Sequence, residues 1–589
     1  MAFAHKLRSF KVFAARVAHL AMPYFRSDEK WKARALLAVI VGLNLGSVYL
    51  AVLFNDWNGR FYNALQDKKE PVFWTEIINF CYLAFFFIVV AVYRFYLTQL
   101  LEMNWRKWMT AYYMGRWLDG NAFYRMELAR FTRGDGATPD NPDQRISEDV
   151  NTFTTQTVGL TMGLLNASVT LASFVGILWT LSGSFAFSFQ GGSYTIPGFM
   201  VWVAVLYCLV GSVLSHYIGR SQIKLNFEQL RREADYRHHM MRVREYSESI
   251  ALDSGQPVEK AHLTSRFHAV LSNYLALIRA QKRLIWFTTF FGQVATVFPI
   301  VVAAPRFFSG AIQLGELMRI SSAFNQVQNS LSWFVDNYSS LASWRATVDR
   351  LTTFDDAITA AGAPNPALAR SVADGIAIGN LDIALPNGTL LLAGATLQAS
   401  AGDRILLHGP SGSGKSTLFR ALAGIWPFAS GSVARSADTM FIPQRPYFPN
   451  GPLREALAYP EPATRYSDEA MQQALRDALL PALASELDAA DAWGQKLSGG
   501  EQQRLAIARV LLKQPAWVFA DEATSALDEA AEKTLYERLL AMVARTGGGL
   551  VSIAHKPSVA AFHNGRWELQ PLPADAPARY AITAAASST

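Results

Sequence analysis

Cysteine is nearly absent from this chain: its 589 residues include two, Cys81 and Cys208, each inside an apolar run. A disulfide framework and a cysteine-ligated metal are excluded as organising principles, and both residues read as small hydrophobes. Charge is also scarce, at 17% of residues against 51% hydrophobic. That balance implies a membrane part joined to a soluble part. The net charge of +7 has no compact basic domain behind it, so nucleic acid is not an expected partner. No unbroken apolar run occurs before residue 33, because Lys6, Arg8, Lys11 and Arg16 interrupt it, which excludes a signal-peptide core. Phe10, Phe13, Val17 and Leu20 recur at helical spacing opposite those bases. Residues 1–34 are therefore expected to form an amphipathic helix lying on the inner membrane face.

A spanning helix needs about 20 mostly apolar residues, and six candidates lie near 35–54, 77–96, 158–181, 199–218, 284–304 and 311–342. Lys and Arg number eight before the first, at least seven between the second and third, and twelve between the fourth and fifth. The stretch from Ser182 to Gly198 has no charge at all. Both termini and the long connections 97–157 and 217–283 are thus expected in the cytoplasm. These connections read as helical, so the spans are expected to run on beyond the bilayer and hold a transmission surface there. Within the first, Asn141-Pro142-Asp143 opens a helix through Val150, and a role in coupling to the soluble part is the functional reading.

The sixth span carries Ser322, Asn325, Asn329, Ser332, Asp336, Ser339 and Ser343 at alternating steps of three and four, all on one helix face. Polar groups are costly in hydrocarbon, so this stripe is expected to line a water-filled cavity and to favour a hydrophilic cargo. Asp336 and Glu316 are the two carboxylates of this span, and coupling to a proton gradient through either is left open at this point. The organisation expected is 35–354 as an all-α polytopic membrane domain, 355–374 as an Ala, Pro and Gly-rich linker, 375–572 as a soluble α/β domain, and 573–589 as a disordered tail.

The soluble part is organised around Gly409-Pro410-Ser411-Gly412-Ser413-Gly414-Lys415-Ser416-Thr417. This fits the phosphate loop, whose glycines let backbone N–H groups close on phosphates at a helix N-terminus. Lys415 is placed to reach the outer phosphates, and the Ser416 hydroxyl to hold Mg²⁺. Some 80 residues later Ser498-Gly499-Gly500-Glu501 opens a second helix, another anion-binding terminus. The apolar run Trp517 to Ala520 ends in Asp521 and Glu522. Asp521 is placed to bind Mg²⁺ through water and Glu522 to polarise the water that attacks the γ-phosphate of ATP. Gln444 follows a strand and is placed to sense Mg²⁺ and that water; His555 ends another strand and is placed to contact the γ-phosphate.

Together these motifs resemble the ABC ATPase domain over residues 375–572. The resemblance implies two such domains paired head to tail, with Ser498 to Gly500 of one closing on ATP held by Gly409 to Thr417 of the other. One copy of each motif per chain then implies a homodimer with twelve spans and two ATP sites. Phe54-Asn55-Asp56-Trp57-Asn58-Gly59-Arg60-Phe61-Tyr62-Asn63-Ala64-Leu65, the 141–150 stretch and Leu331 to Asp336 resemble the SbmA/BacA-like group. These are bacterial inner-membrane peptide transporters; the chain looks like their ATPase-fused relatives, kin to the peroxisomal fatty-acyl transporters of ABC subfamily D. The resemblance implies an exporter-type fold that imports antimicrobial peptides and other hydrophilic solutes, in some relatives cobalamin. Export of lipid, fatty-acyl or drug-like cargo is the alternative, and a membrane-anchored regulatory or mechanical ATPase is the alternative of another class. The chain departs from the family in having no aromatic residue between Phe354 and Phe419 to stack on adenine; Leu385 or Pro386 is the apolar substitute.

Overall fold

The computed structural model describes every residue except 1, 130–140, 183, 190–191, 363–364, 574 and 587–589. Arg130 and Arg133, residues 363–364 of the expected linker and the end of the expected tail lie outside the described residues. Two compact units emerge: Met1–Met114 with Asn141–Phe354, and Gly115–Asp140 with Asp355–Thr589.

The first unit is helical. Its elements are α1 (Ala2–Arg26), α2 (Lys30–Gln66) and α3 (Glu70–Leu118), which carries the chain into the second unit. After α4 (Ala122–Ala129), part of that second unit, come α5 (Val150–Ser182), α6 (Phe199–Glu245), α7 (Ser247–Leu252), α8 (Gln256–Phe308), α9 (Leu314–Asp336) and α10 (Tyr338–Gly362). Five of the helical stretches, those of α2, α3, α5, α6 and α8, are long and apolar enough to cross a membrane. At 33 to 53 residues they exceed the roughly 20 that a bilayer requires, as the long connections led one to expect.

The sixth expected span differs. It is divided at Asn337 between α9 and α10, although the backbone bonds from Asn337 N–H to Trp333 O and from Leu341 N–H to Asn337 O are kept. Its polar stripe leaves it outside the set of long apolar helices, yet α9 packs against α2, α5, α6 and α8. Leu317, Ile320, Phe324 and Val327, spaced by three and four, are buried there with Phe174, Leu178, Met200 and Ala303. Burial of this apolar face, not overall hydrophobicity, holds the helix in the bundle.

Helix α1 forms as its periodicity predicts, and it docks on its own chain: Tyr24 stacks on Trp105 at 5.8 Å and Phe13 meets Trp344 edge-on at 5.2 Å. The uncharged Ser182 to Gly198 stretch is not a plain loop. Strands β1 (Ser184–Phe189) and β2 (Gly192–Pro197) pair antiparallel there, and the alternation Phe185, Phe187, Phe189 is the strand signal in the sequence.

The second unit contains a ten-stranded sheet. Its strands are β3 (Leu368–Val372), β4 (Ile376–Ala384), β5 (Leu390–Ala399), β6 (Arg404–His408), β7 (Ala429–Arg435), β8 (Thr439–Ile442), β9 (Trp517–Asp521), β10 (Gly549–Ile553), β11 (Gly565–Pro571) and β12 (Tyr580–Ala586), in the spatial order β3-β7-β4-β5-β12-β11-β6-β10-β9-β8. From β11 to β8 every pairing is parallel. Helices α11 (Lys415–Ala423), α12 (Gly499–Lys513) and α13 (Glu529–Thr546) follow β6, precede β9 and follow β9 respectively. All five residues of β9 are buried, because alternate side chains feed two cores. Trp517 and Phe519 pack with Leu407, Leu418 and Phe419, whereas Val518 and Ala520 pack with Leu505, Val510 and Leu535. The acids at the end of β9 are thereby fixed on both sides.

Two stretches expected to be irregular contain regular structure. Within the expected linker 355–374, residues 355–362 end α10 and residues 368–372 form β3. The tail expected to be disordered is corrected: β12 pairs antiparallel with β11 from Pro571↔Tyr580 to Gly565↔Ala586, and Tyr580 and Ile582 pack against the sheet core. Alanine-rich composition concealed this alternation. The middle of the first long connection also belongs to this unit: Leu128 of α4 packs on the same core, Arg125 Nη1 donates to Ala361 O at 2.9 Å, and Arg116 pairs with Asp355.

Candidate nucleotide site

Strand β6 delivers the phosphate loop and α11 leaves it. Gly412 and Gly414 hold φ of 76° and 90°, the left-handed region where a Cβ is strained, and Ser413 is buried between them. Lys415 Nζ donates to Gly409 O and Pro410 O, both at 2.9 Å. Burial pushes its ammonium below the usual lysine range, while the charges of Glu522 and Asp521 act the other way.

Asp521 is buried at the end of β9. Burial pushes its carboxyl above the usual range; a hydrogen bond with Ser416 opposes this and the charge of Glu522 adds to it. The Glu522 backbone turns into the left-handed region with φ of 51°, held by its N–H to Ile553 O at 3.0 Å. Its carboxylate accepts Gln444 Nε2 at 2.9 Å and lies 3.3 Å from His555 Nε2. Three residues far apart in sequence thus meet where β8, β9 and β10 end side by side. Ser416, Gln444 and Asp521 line one cavity of about 370 Å³. A hydroxyl, an amide oxygen and a carboxylate around one space are oxygen donors of the kind that Mg²⁺ takes.

Ser498 caps α12 in a capping box. Its N–H and Oγ donate to Glu501 Oε2 at 2.9 and 2.6 Å, and these bonds hold the Glu501 carboxyl below its usual range. Glu501 therefore shapes the Ser498-Gly499-Gly500 turn by reaching back to it. Among the described residues no hydrogen bond or ion pair joins 498–501 to 409–417 of the same chain. Leu385 lies in the turn between β4 and β5, where its N–H donates to Thr389 O at 2.8 Å.

Sequence reasoning missed three residues. Gln503 is buried; its Nε2 donates to Glu522 O at 3.2 Å and Ser525 Oγ at 2.9 Å, and its Oε1 accepts Ala526 N–H at 2.9 Å. It ties the start of α12 to the turn after Glu522. Glu532, 1% exposed, accepts Thr524 Oγ1 at 2.8 Å and Ser558 Oγ at 2.7 Å, with Lys556 Nζ 3.5 Å away. It joins the segments that follow Glu522 and His555, and in sequence it is one acid among many on a helix. In the first unit Arg94 lines a cavity with Asn44, Thr98 and Asn166 and donates to Ser47 Oγ at 3.1 Å. One base inside an apolar span was its only signal.

The stripe of α9 and α10 faces away from the buried core. Asn329, Asp336, Ser339 and Ser343 are exposed, and Ser322, Asn325 and Ser332 are half-buried. The 54–65 motif, with the adjoining Gln66, anchors the start of α9: Gly315 N–H donates to Asn63 Oδ1 at 2.8 Å, Leu314 N–H to Gln66 Oε1 at 2.7 Å, and Asp56 pairs with Arg319. Side chains of one helix thereby satisfy the free amides that begin another. The 141–150 motif is fastened likewise. Asp149 is buried and accepts Arg350 Nη2 at 2.6 Å and Nε at 2.9 Å, besides pairing with Arg145. Pro142 stands at the first helical position as expected, with Asn141 left-handed and its side chain making no cap.

Comparisons with known proteins agree with this arrangement. The family model described as ABC transporter transmembrane region 2 matches residues 20–308 and that described as ABC transporter matches 392–525. The inner membrane ABC transporter ATP-binding protein YddA of Escherichia coli K12 is 31% identical over 555 residues, covering 94% of this chain and 96% of that one. ABC transporter D family member 2, chloroplastic, of Arabidopsis thaliana is 31% identical over 637 residues, covering 95% and 86%. The mouse lysosomal cobalamin transporter ABCD4 is 26% identical over 520 residues, covering 80% and 82%. Among solved structures, a bacterial Atm1-family ABC exporter with ATP bound aligns with a TM-score of 0.69 at 18% identity, over 91% of this chain and 93% of that one. The fold is thus that of an ABC exporter, a helical membrane region followed by an ATPase domain. With ATP hydrolysis coupled to transport, this multi-pass membrane protein belongs to the ABC transporters that carry both regions on one chain and are related to subfamily D.

Proposed function

We propose that the protein is an SbmA/BacA-like importer of the bacterial inner membrane, taking up peptides, antimicrobial ones included, and other hydrophilic solutes such as cobalamin. The polar stripe of Ser322, Asn325, Asn329, Ser332, Asp336, Ser339 and Ser343, none of it buried, carries this reading, since a lipid-facing helix would not sustain it. The cavity beside Arg94 and the cobalamin transporter among the relatives support it. Residues 1–34 lie at the inner face, 35–354 cross the membrane, and both termini and the ATPase domain are cytoplasmic.

The working unit is a homodimer. Gly409 to Thr417 of one chain hold the phosphates of ATP, and Ser498 to Glu501 of the other close on them. Ser416, Asp521 and Gln444 would hold Mg²⁺, which supplies charge for the β- and γ-phosphates. Glu522, positioned by Gln444 and His555, orients the attacking water, and His555 contacts the γ-phosphate. ATP binds the closed dimer better than the open one, and this difference drives the membrane helices between inward- and outward-open states. Competition uptake of a labelled hydrophilic peptide against cobalamin, in cells lacking the protein and in complemented cells, tests the reading. Uptake restored only by complementation supports it. Accumulation unchanged, with lipid or drug leaving the cell instead, would establish the export alternative.

A further inference from the structure

Within the first unit, α6 and α8 form a long antiparallel hairpin closed by the short helix α7. Near its tip His239 of α6 faces Glu259 and His262, which stand three residues apart and hence on one face of α8. His239 Nε2 and Glu259 Oε2 are 2.9 Å apart, the two imidazole rings have centroids 5.9 Å apart, and one ligand atom from each of the three residues lies within 4.8 Å of the others. The side chains of His239 and Glu259 are 15% and 27% exposed, so the donors are sheltered while an ion still has access.

We propose that His239, Glu259 and His262 form a divalent transition-metal site, of the zinc class, that clips the end of α6 to the start of α8 across α7. Two imidazoles and one carboxylate are a donor set that suits zinc, with water in the fourth position. A tetrahedral ion with bonds of about 2.0–2.1 Å separates its ligand atoms by roughly 3.4 Å. Reaching that spacing takes a rotation of the more exposed His262 side chain toward the His239–Glu259 pair and a widening of that pair from 2.9 Å. The clip closes the 20-residue separation between His239 and Glu259 and restrains a tip whose Tyr246, Leu252 and Val258 are exposed. Metal occupancy would thereby set the stiffness of this part of the helical extension.

The test uses the full-length protein in nanodiscs, with any affinity tag removed and adventitious metal stripped. Zn²⁺ titration should show one saturable ion per chain, and Co²⁺ should give the intense visible bands of tetrahedral coordination. His239→Ala/His262→Ala should lose both signals, Glu259→Gln should weaken them, and His238→Ala, at the exposed neighbour, should keep them. Limited proteolysis at 246–255 should slow with Zn²⁺ in the wild type alone. Absence of a saturable ion in the wild type, or binding that survives in the double variant, would overturn the proposal. The cobalt spectrum of the wild type decides the geometry even if a variant fails to fold.

Discussion

Glu522 sits in a backbone conformation that side chains avoid, and this makes a stability prediction separable from its proposed chemistry. At φ of 51° an L-residue carries about 1–2 kcal/mol of local cost. Glu522→Ala keeps that cost and removes the carboxylate; Glu522→Gly removes both. The two variants lose the same partners, Gln444 and His555, so those terms cancel in the comparison. Glycine gives back about 0.4–1 kcal/mol through the greater freedom of the unfolded chain. The glycine variant should therefore be the more stable of the two by about 1 kcal/mol, or roughly 2–4 °C for a unit of this size. Scanning calorimetry of the full-length protein in nanodiscs, following the ATPase-domain transition, measures the difference, while a coupled assay should find both inactive. An alanine variant as stable as the glycine variant would refute the claim that strain is stored there.

Other perturbations have equally definite outcomes. Asp149→Asn breaks a buried pair with Arg145 and Arg350; with Arg350 43% exposed the cost should be roughly 2–3 kcal/mol, below the full buried-pair value, read as a lower unfolding temperature. Ser498→Ala removes the capping box and should cost about 1 kcal/mol, with ATPase activity falling further than fold loss explains. His563 is buried, and burial pushes its imidazole from an ordinary 6.5 down to about 4. Below about pH 6.5 the unfolded chain takes up a proton that the folded side chain refuses. Stability is therefore complete above pH 6.5 and declines as pH falls toward 4, by up to roughly 3 kcal/mol. Unfolding measured at pH 7.5 and pH 5 should show that decline in the wild type and a smaller one in His563→Gln.

What could be read from the amino-acid sequence divides along physical lines. Gly409 to Thr417, Gln444, Asp521, Glu522 and His555 were legible because a glycine turn or a strand end places each side chain through local backbone geometry. Gln503 and Glu532 were not: their importance lies in bonds to Ser525, Ala526, Thr524 and Ser558 that only the folded chain assembles. The apolar spans were legible from composition, and the stripe on α9 from its period. The break at Asn337 and the pairing of β12 with β11 depend on tertiary partners, and alanine-rich composition pointed the wrong way. The 54–65 and 141–150 motifs carried a resemblance without a reason. Their side chains prove to fasten the start of α9 and the middle of α10.

The claim on which the proposed function depends is that ATP is clasped between two copies of the chain. Two full-length versions, both with Cys81 and Cys208 replaced, carry Ser411→Cys in one and Ser498→Cys in the other. Each holds a single thiol, so a cross-link between positions 411 and 498 forms only between chains. Mixed, reconstituted and oxidised, they should give a covalent species of twice the chain mass when ATP is added to a Glu522→Gln background, and little without nucleotide. Failure to cross-link under ATP, in protein that hydrolyses ATP fully as a monomer before the Glu522 change, would contradict it.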